Sequence, residues 1–520
     1  MVRRSSLILS LPALFAVLVL SACGVPSPIT TAPPQLHSPQ ALDVFTAGYR
    51  GIAEKYIEAV DIETIAMEGI KGFAAIEPAL IAMQDEEMVR LNLSGKEIAA
   101  LPYPRIATAS GWARLTVDLA TAARAHSKDM RGASAEKLYE AVFDGALSKL
   151  DVFSHYAGAS EASRNRARRD GFGGIGIRFN MKTGIAKITQ VMVDMPAAKA
   201  GLKVGDQINK IDGKLIGKES KDLVAKLRGP TNSEVRVTVF RASEERSFEV
   251  VIEREHIVPS TVTSRLEDRV LYLGISNFNQ GTARSIGKEI ERGKAETKDG
   301  ILGVILDLRG NPGGLLKQSI KVADMMLKHG HILTTRGRHP DSLHHYEAGG
   351  RDLADGLPVV VIVDGKSASA SEIVAAALQD RDRAVVIGTS SFGKGSVQTV
   401  LRLPNNGEIT LTWSRFMAPS GYALHGLGVR PAICTSKVKK GLRPVIEKAL
   451  DQRLETRVTF ASWRTPGVQE EQRRKALRET CPSERRKAYA DIRIAKYLAN
   501  DQTLFVRALD ISTTTAQAHN

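Results

Sequence analysis

Three serines alternate in DGKSASASEI, residues 364–373, directly after the apolar run PVVVIV. A strand followed by GKS has the outline of a phosphate loop. That loop needs GxxxxGK[ST] between a strand and a helix, and Val360 stands where its first glycine belongs. A second stretch, GTSSFGKG at 388–395, has the glycine spacing. There Gly395 replaces the hydroxyl residue that would hold magnesium, and SVQTVLRL after it reads as strand. Two readings remain: a nucleophile at a helix start, or small residues packed where a strand meets a helix. Unpaired N–H groups and the dipole at a helix start favour negative charge. A serine oxygen there suits attack on a carbonyl, because nearby N–H groups can hold the oxyanion. A neutral serine needs a base. His425, in YALHGLG, stands in no triad motif and reads as a loop histidine. A lysine serves when burial lowers its pKa. Lys394 lies between two glycines, and Ser–Lys pairs are a known variant of the nucleophile–base arrangement.

The elements that must position these residues follow from periodicity. From about Ile257 to Val429 strands and helices alternate: LGVILDL, VVVIV and AVVIG read as buried strands, LLKQSIKVADMMLKHG and SEIVAAALQD as helices. SVQTVLRL and EITLTWSRF form a hairpin across PNNG. This is an α/β layer architecture. Between about Gly171 and His256 short alternating strands dominate, interrupted by the helix ESKDLVAKLRG. From Ala41 to about Arg169 the pattern is mostly helical, with few strong strand runs. Beyond Ser436 it is charged and mostly helical.

SASASEIVAAALQDRDRAVVIGTSSFGKGSVQT resembles the signature of the carboxy-terminal processing (tail-specific) serine proteases. In that family a lysine of an FGKG-type element follows the nucleophile by 25 residues, a separation that here joins Ser369 to Lys394. The resemblance therefore implies Ser369 as nucleophile, Lys394 as general base and Gln398 as the residue that orients the lysine. LDLRGNPGG, 306–314, is similar to the family's glycine turn. It implies an oxyanion hole from the N–H groups of Gly314, with Gly313 the near alternative, and Ala370. LDVFSHY, 150–156, resembles the family's LDPHSxY segment with Val-Phe in place of Pro-His.

GFGGIGIRF and PAAKAGLKVGDQINKIDG resemble a PDZ domain. Such a domain adds a peptide as a strand and captures its terminal carboxylate, which implies that Gly174, Ile175, Gly176 and Ile177 line the peptide site. The implied fold is multidomain α/β plus β: a crotonase- and Clp-protease-like core over 257–435, an inserted PDZ domain over 170–256, and helical regions over 42–169 and 436–520. The implied activity needs neither cofactor nor metal. Its partners are protein substrates with unstructured apolar C-termini, an adaptor and an oligomer being further partners to test.

The N-terminus carries Arg3 and Arg4, an apolar run from Leu7 to Leu20, and Leu20-Ser21-Ala22-Cys23. The run is shorter than the roughly 20 residues of a membrane span and reads as a secretory signal over 1–22. Its end resembles a bacterial lipobox, which implies lipidation of Cys23. Residues 23–41 are rich in Pro, Ser and Thr and read as a disordered tether. The expected location is the bacterial periplasm, anchored to a membrane. Cys434 and Cys481 are then candidates for a disulfide in an oxidising compartment. The formal charge of +15 is scattered among acids, with no basic stripe interleaved with aromatics. That pattern argues against nucleic acid as a partner.

Overall fold

A computed structural model describes residues 38–182, 185–217, 219–438, 443–465, 471–486 and 488–513. The expected signal (1–22), Cys23 and most of the expected tether (23–41) lie outside the described residues. Among those described, no helix is long and apolar enough to cross a membrane.

The centre is a six-stranded sheet. Val262–Glu267 runs antiparallel to Val270–Ile275. Then Gly303–Asp307, Val359–Val363, Ala384–Gly388 and Ile433–Cys434 follow in parallel. Its three middle strands, GVILD, VVVIV and AVVIG, are buried at every position. A parallel strand that is apolar on both faces needs a cover on both. One cover comes from the helices Thr282–Glu296, Leu316–Asp324 and Ala370–Asp380, against Val304, Leu306, Val361 and Val386. The other is the C-terminal extension. Ile494, Leu498 and Phe505, from helices Tyr489–Asn500 and Gln502–Leu509, pack on Ile305, Val360, Ile362 and Ile387. The extension thus completes the core. A Cys434–Cys481 disulfide, with Cα atoms 5.8 Å apart, ties the end of its helix Glu471–Glu479 to the last strand of the sheet.

The Leu316–Asp324 helix stops earlier than the pattern LLKQSIKVADMMLKHG suggested. Met326 and Leu327 bond three residues back, to Ala323 and Asp324, which tightens the chain into turns. The expected hairpin forms from Ser396–Arg402 and Glu408–Met417, and it shares a second sheet with His331–Arg336, His344–Glu347 and His155–Ala157.

The N-terminal region is mostly helical, but it also holds a small sheet that the sequence reading did not include. Leu80–Gln84, Met88–Leu93 and Lys96–Pro102 form an antiparallel sheet among the helices. Ser94 and Gly95 both take positive φ, 51° and 82°, the backbone of a tight hairpin that matches strand twist. The region packs against the Ser396–Arg402/Glu408–Met417 hairpin through Leu403, Ile409 and Leu411. The β-rich module has strands Arg246–Glu253, Glu234–Arg241, Gln207–Ile211, Ile185–Val191 and Ile177–Lys182, in that spatial order. The short pair Phe172–Gly174 and Glu255–Ile257 joins it to the rest.

Candidate active site

The alternating serines divide by environment. Ser367 and Ser371 are fully buried. The Ser367 hydroxyl donates to the Leu308 carbonyl at 2.8 Å, and that of Ser371 to the Asn311 carbonyl at 3.0 Å. Both lock the strand-to-helix turn onto the glycine loop. Only Ser369 is partly exposed. Its φ of 54° and ψ of −113° place it at the first central position of a turn closed by Ser371 N–H on Ala368 O. Such a backbone is strained for an L-residue and is held only by its surroundings.

Ser369 and Ala370 line a cleft of about 420 Å³ with Gly313, Gly314, Gln398 and the apolar Leu316, Ile373, Val397 and Val400. Gly313 N–H donates to Asn311 Oδ1 at 2.9 Å. Neither Gly314 N–H nor Ala370 N–H has an acceptor among the described residues. Gly314 must be glycine: its φ is 141°, and a Cβ there would meet Phe278 O at 2.1 Å. Phe278 N–H donates to Gly313 O, and Leu315 N–H to Phe278 O, so the glycine turn is stitched like a strand. Behind it, Arg309 is buried in a bidentate pair with Asp307 and reaches Asp491 at 3.0 Å in the C-terminal extension.

Glu372 is the residue that sequence reasoning missed. It is fully buried at the third position of the Ala370–Asp380 helix. Its Oε2 accepts from the N–H groups of Ser369 and Lys394, at 2.8 and 2.9 Å. Its Oε1 accepts from Gly393 N–H at 2.6 Å and the Ser391 hydroxyl at 2.5 Å. One oxygen therefore joins the backbones of the serine and the lysine. Burial pushes its carboxyl pKa up, and the hydrogen bonds oppose that. The signal was present as S-x-x-E, a helix-start pattern. Arg478, also unread in the sequence, donates from the extension to Ser391 O at 3.0 Å and Leu427 O at 2.5 Å.

Lys394 does not line the cleft. Its ammonium sits over the Phe153 ring, 4.6 Å from the centroid. No hydrogen bond joins Lys394 Nζ to Ser369 or Gln398. The Gln398 amide instead donates to Ser396 Oγ at 2.9 Å and Thr412 Oγ1 at 3.2 Å. Burial lowers the lysine pKa, while the Asp151 and Glu372 charges push it back up. His425 is half-buried, and burial lowers its pKa too. Some distance along the chain, Gly174, Ile175, Gly176 and Ile177 line a separate cavity with Phe172, Phe179 and Leu227.

Residues 269–435 match peptidase family S41, and residues 173–252 match the PDZ domain. Over 302 residues the chain is 41% identical to the carboxy-terminal-processing protease of Bartonella bacilliformis, a match spanning 57% of this chain and 69% of that one. The chain belongs to peptidase family S41. This S41 peptidase is also 32% identical, over 305 residues, to a protein of Staphylococcus aureus named "Probable CtpA-like serine protease", with 58% and 60% of the two chains covered. A solved photosystem II D1 C-terminal processing protease aligns with the S41 peptidase at a TM-score of 0.37 and 21% identity, over 75% of this chain and 92% of that one.

Proposed function

We propose that this S41 peptidase is an exported, lipid-anchored serine endopeptidase that captures unstructured C-termini on its PDZ domain and cleaves with a Ser–Lys pair. The core would share the crotonase and Clp-protease architecture. The observation that carries the reading is a partly exposed serine on a strained turn, beside two N–H groups without acceptors. Ser369 Oγ attacks the scissile carbonyl. Neutral Lys394 takes the hydroxyl proton and later gives it to the leaving amine, with Gln398 orienting the lysine. Gly314 and Ala370 hold the oxyanion. The bond from Gly313 N–H to Asn311 Oδ1 favours Gly314 over Gly313 in that role. Water then hydrolyses the acyl-enzyme.

Gly174, Ile175, Gly176 and Ile177 would receive the substrate tail, its carboxylate bonded by backbone N–H groups. Cys23, by its lipobox, would hold the enzyme to a membrane in the periplasm. An unfolded protein ending in an apolar residue should be cleaved, with products read by mass spectrometry. Amidating its terminus removes charge-assisted bonds of about 1.5–3 kcal/mol, so KM should rise roughly tenfold or more. An unchanged KM would remove carboxylate capture. Tight binding without cleavage would indicate a peptide-binding scaffold instead.

A further inference from the structure

We propose that Phe153 is a positioning residue for Lys394: its ring holds the ammonium beside the cleft until bound substrate draws the amine to Ser369. The inference rests on Lys394 being the general base.

The ring is placed from the N-terminal region. Asp151 Oδ1 accepts from Phe153 N–H at 2.8 Å and Ser154 N–H at 3.0 Å, which fixes the loop after helix Ala135–Leu147. Ser154 Oγ accepts from Thr412 N–H at 3.2 Å, docking the loop on the strand beside the one that carries Gln398. Val152 at the loop tip is 91% exposed, yet its neighbour's ring lies under the lysine at 4.6 Å. The lysine backbone is fixed separately, by its N–H on Glu372. Only the flexible four-carbon stem is left to travel between ring and serine. Phe153 occupies the position where the resembled family pattern LDPHSxY has histidine.

The charged groups facing Lys394 are Asp151, from the same loop, and Glu372, from the Ala370–Asp380 helix. Both favour the ammonium, as does the aromatic face, and burial opposes them. A base must be neutral, so the acidic limb of kcat/KM follows the lysine of the free enzyme. Leucine and methionine keep apolar cover over the ammonium but remove the aromatic face, so they withdraw support from the charged form and lower that pKa. The limb should then move to lower pH.

The test is the pH profile of kcat/KM on an unfolded protein substrate, for the full chain, three Phe153 variants and Lys394→Ala. Phe153→Leu and Phe153→Met should move the acidic limb down by about half to one pH unit. Below the limb they should outpace the parent. Phe153→Tyr should keep the parental limb. A purely structural role would lower the profile at every pH without moving it, and that result in either folded variant overturns the proposal. Lys394→Ala separates the two levels. If it still cleaves, the base assignment is wrong. If it is inactive while Phe153→Leu and Phe153→Met keep the parental limb, only the role of Phe153 is wrong.

Discussion

Ser369→Ala and Lys394→Ala should each remove cleavage, by roughly 10⁴- to 10⁶-fold in kcat, and the double variant should lose no more than either alone. Residues that act as one unit are non-additive, because once either is gone the other has nothing to do. A residual rate of about 10³–10⁴ over water should survive, from the oxyanion N–H groups and substrate binding. The fold should be spared. Ser369 is partly exposed, and the bond from Lys394 to Glu372 uses the backbone N–H, which alanine keeps. The lysine side chain contributes one cation–π contact, about 0.5–2 kcal/mol. Single-turnover kinetics with thermal melts of all three variants would check this. Multiplying losses in the double variant would mean that serine and lysine act independently.

Glu372→Gln should be the most damaging isosteric change in the chain. The four groups on this carboxylate are the N–H groups of Ser369, Gly393 and Lys394 and the Ser391 hydroxyl. All donate as observed. An amide offers one oxygen and an NH₂, so at least one buried N–H must face another donor, at about 1–3 kcal/mol. Ser391 offers little relief, since its oxygen already accepts from Val429 N–H at 2.7 Å. The strained Ser369 turn and the 393–395 glycine loop then lose their common anchor. A displacement of about 1 Å at reacting groups can cost roughly 100-fold, so kcat should fall by at least that much with KM little changed. The melting temperature should fall as well. If kcat held while stability fell, Glu372 would be a core residue and not the clamp between nucleophile and base.

Much of this is legible in the sequence. The 25-residue separation of Ser369 and Lys394 and the glycine turn near 314 lie in continuous motifs, and the structure brings their backbones together through Glu372. The role of Glu372 itself was written as S-x-x-E but was hidden by reading the serines alone. The strands at 80–102 were missed because they are short, half-exposed and flanked by strongly periodic helices. Their turn, NLSGKE, held the available signal. The work of the C-terminal extension could have been inferred from VVVIV, since a run buried on both faces requires a second cover. The contact between Phe153 and Lys394 could not, because it joins two loops from distant parts of the chain, and no local pattern encodes it. The same holds for Arg309 and Asp491, joined across 182 residues.

The measurement that bears most directly on the central claim is the site of covalent capture. The parent protein would be treated with a serine-directed fluorophosphonate, digested, and mapped by mass spectrometry. The account predicts one adduct, on Ser369, forming at a rate that falls sharply in Lys394→Ala. An actively cleaving parent with no adduct on Ser369, or with the adduct on another residue, would contradict it.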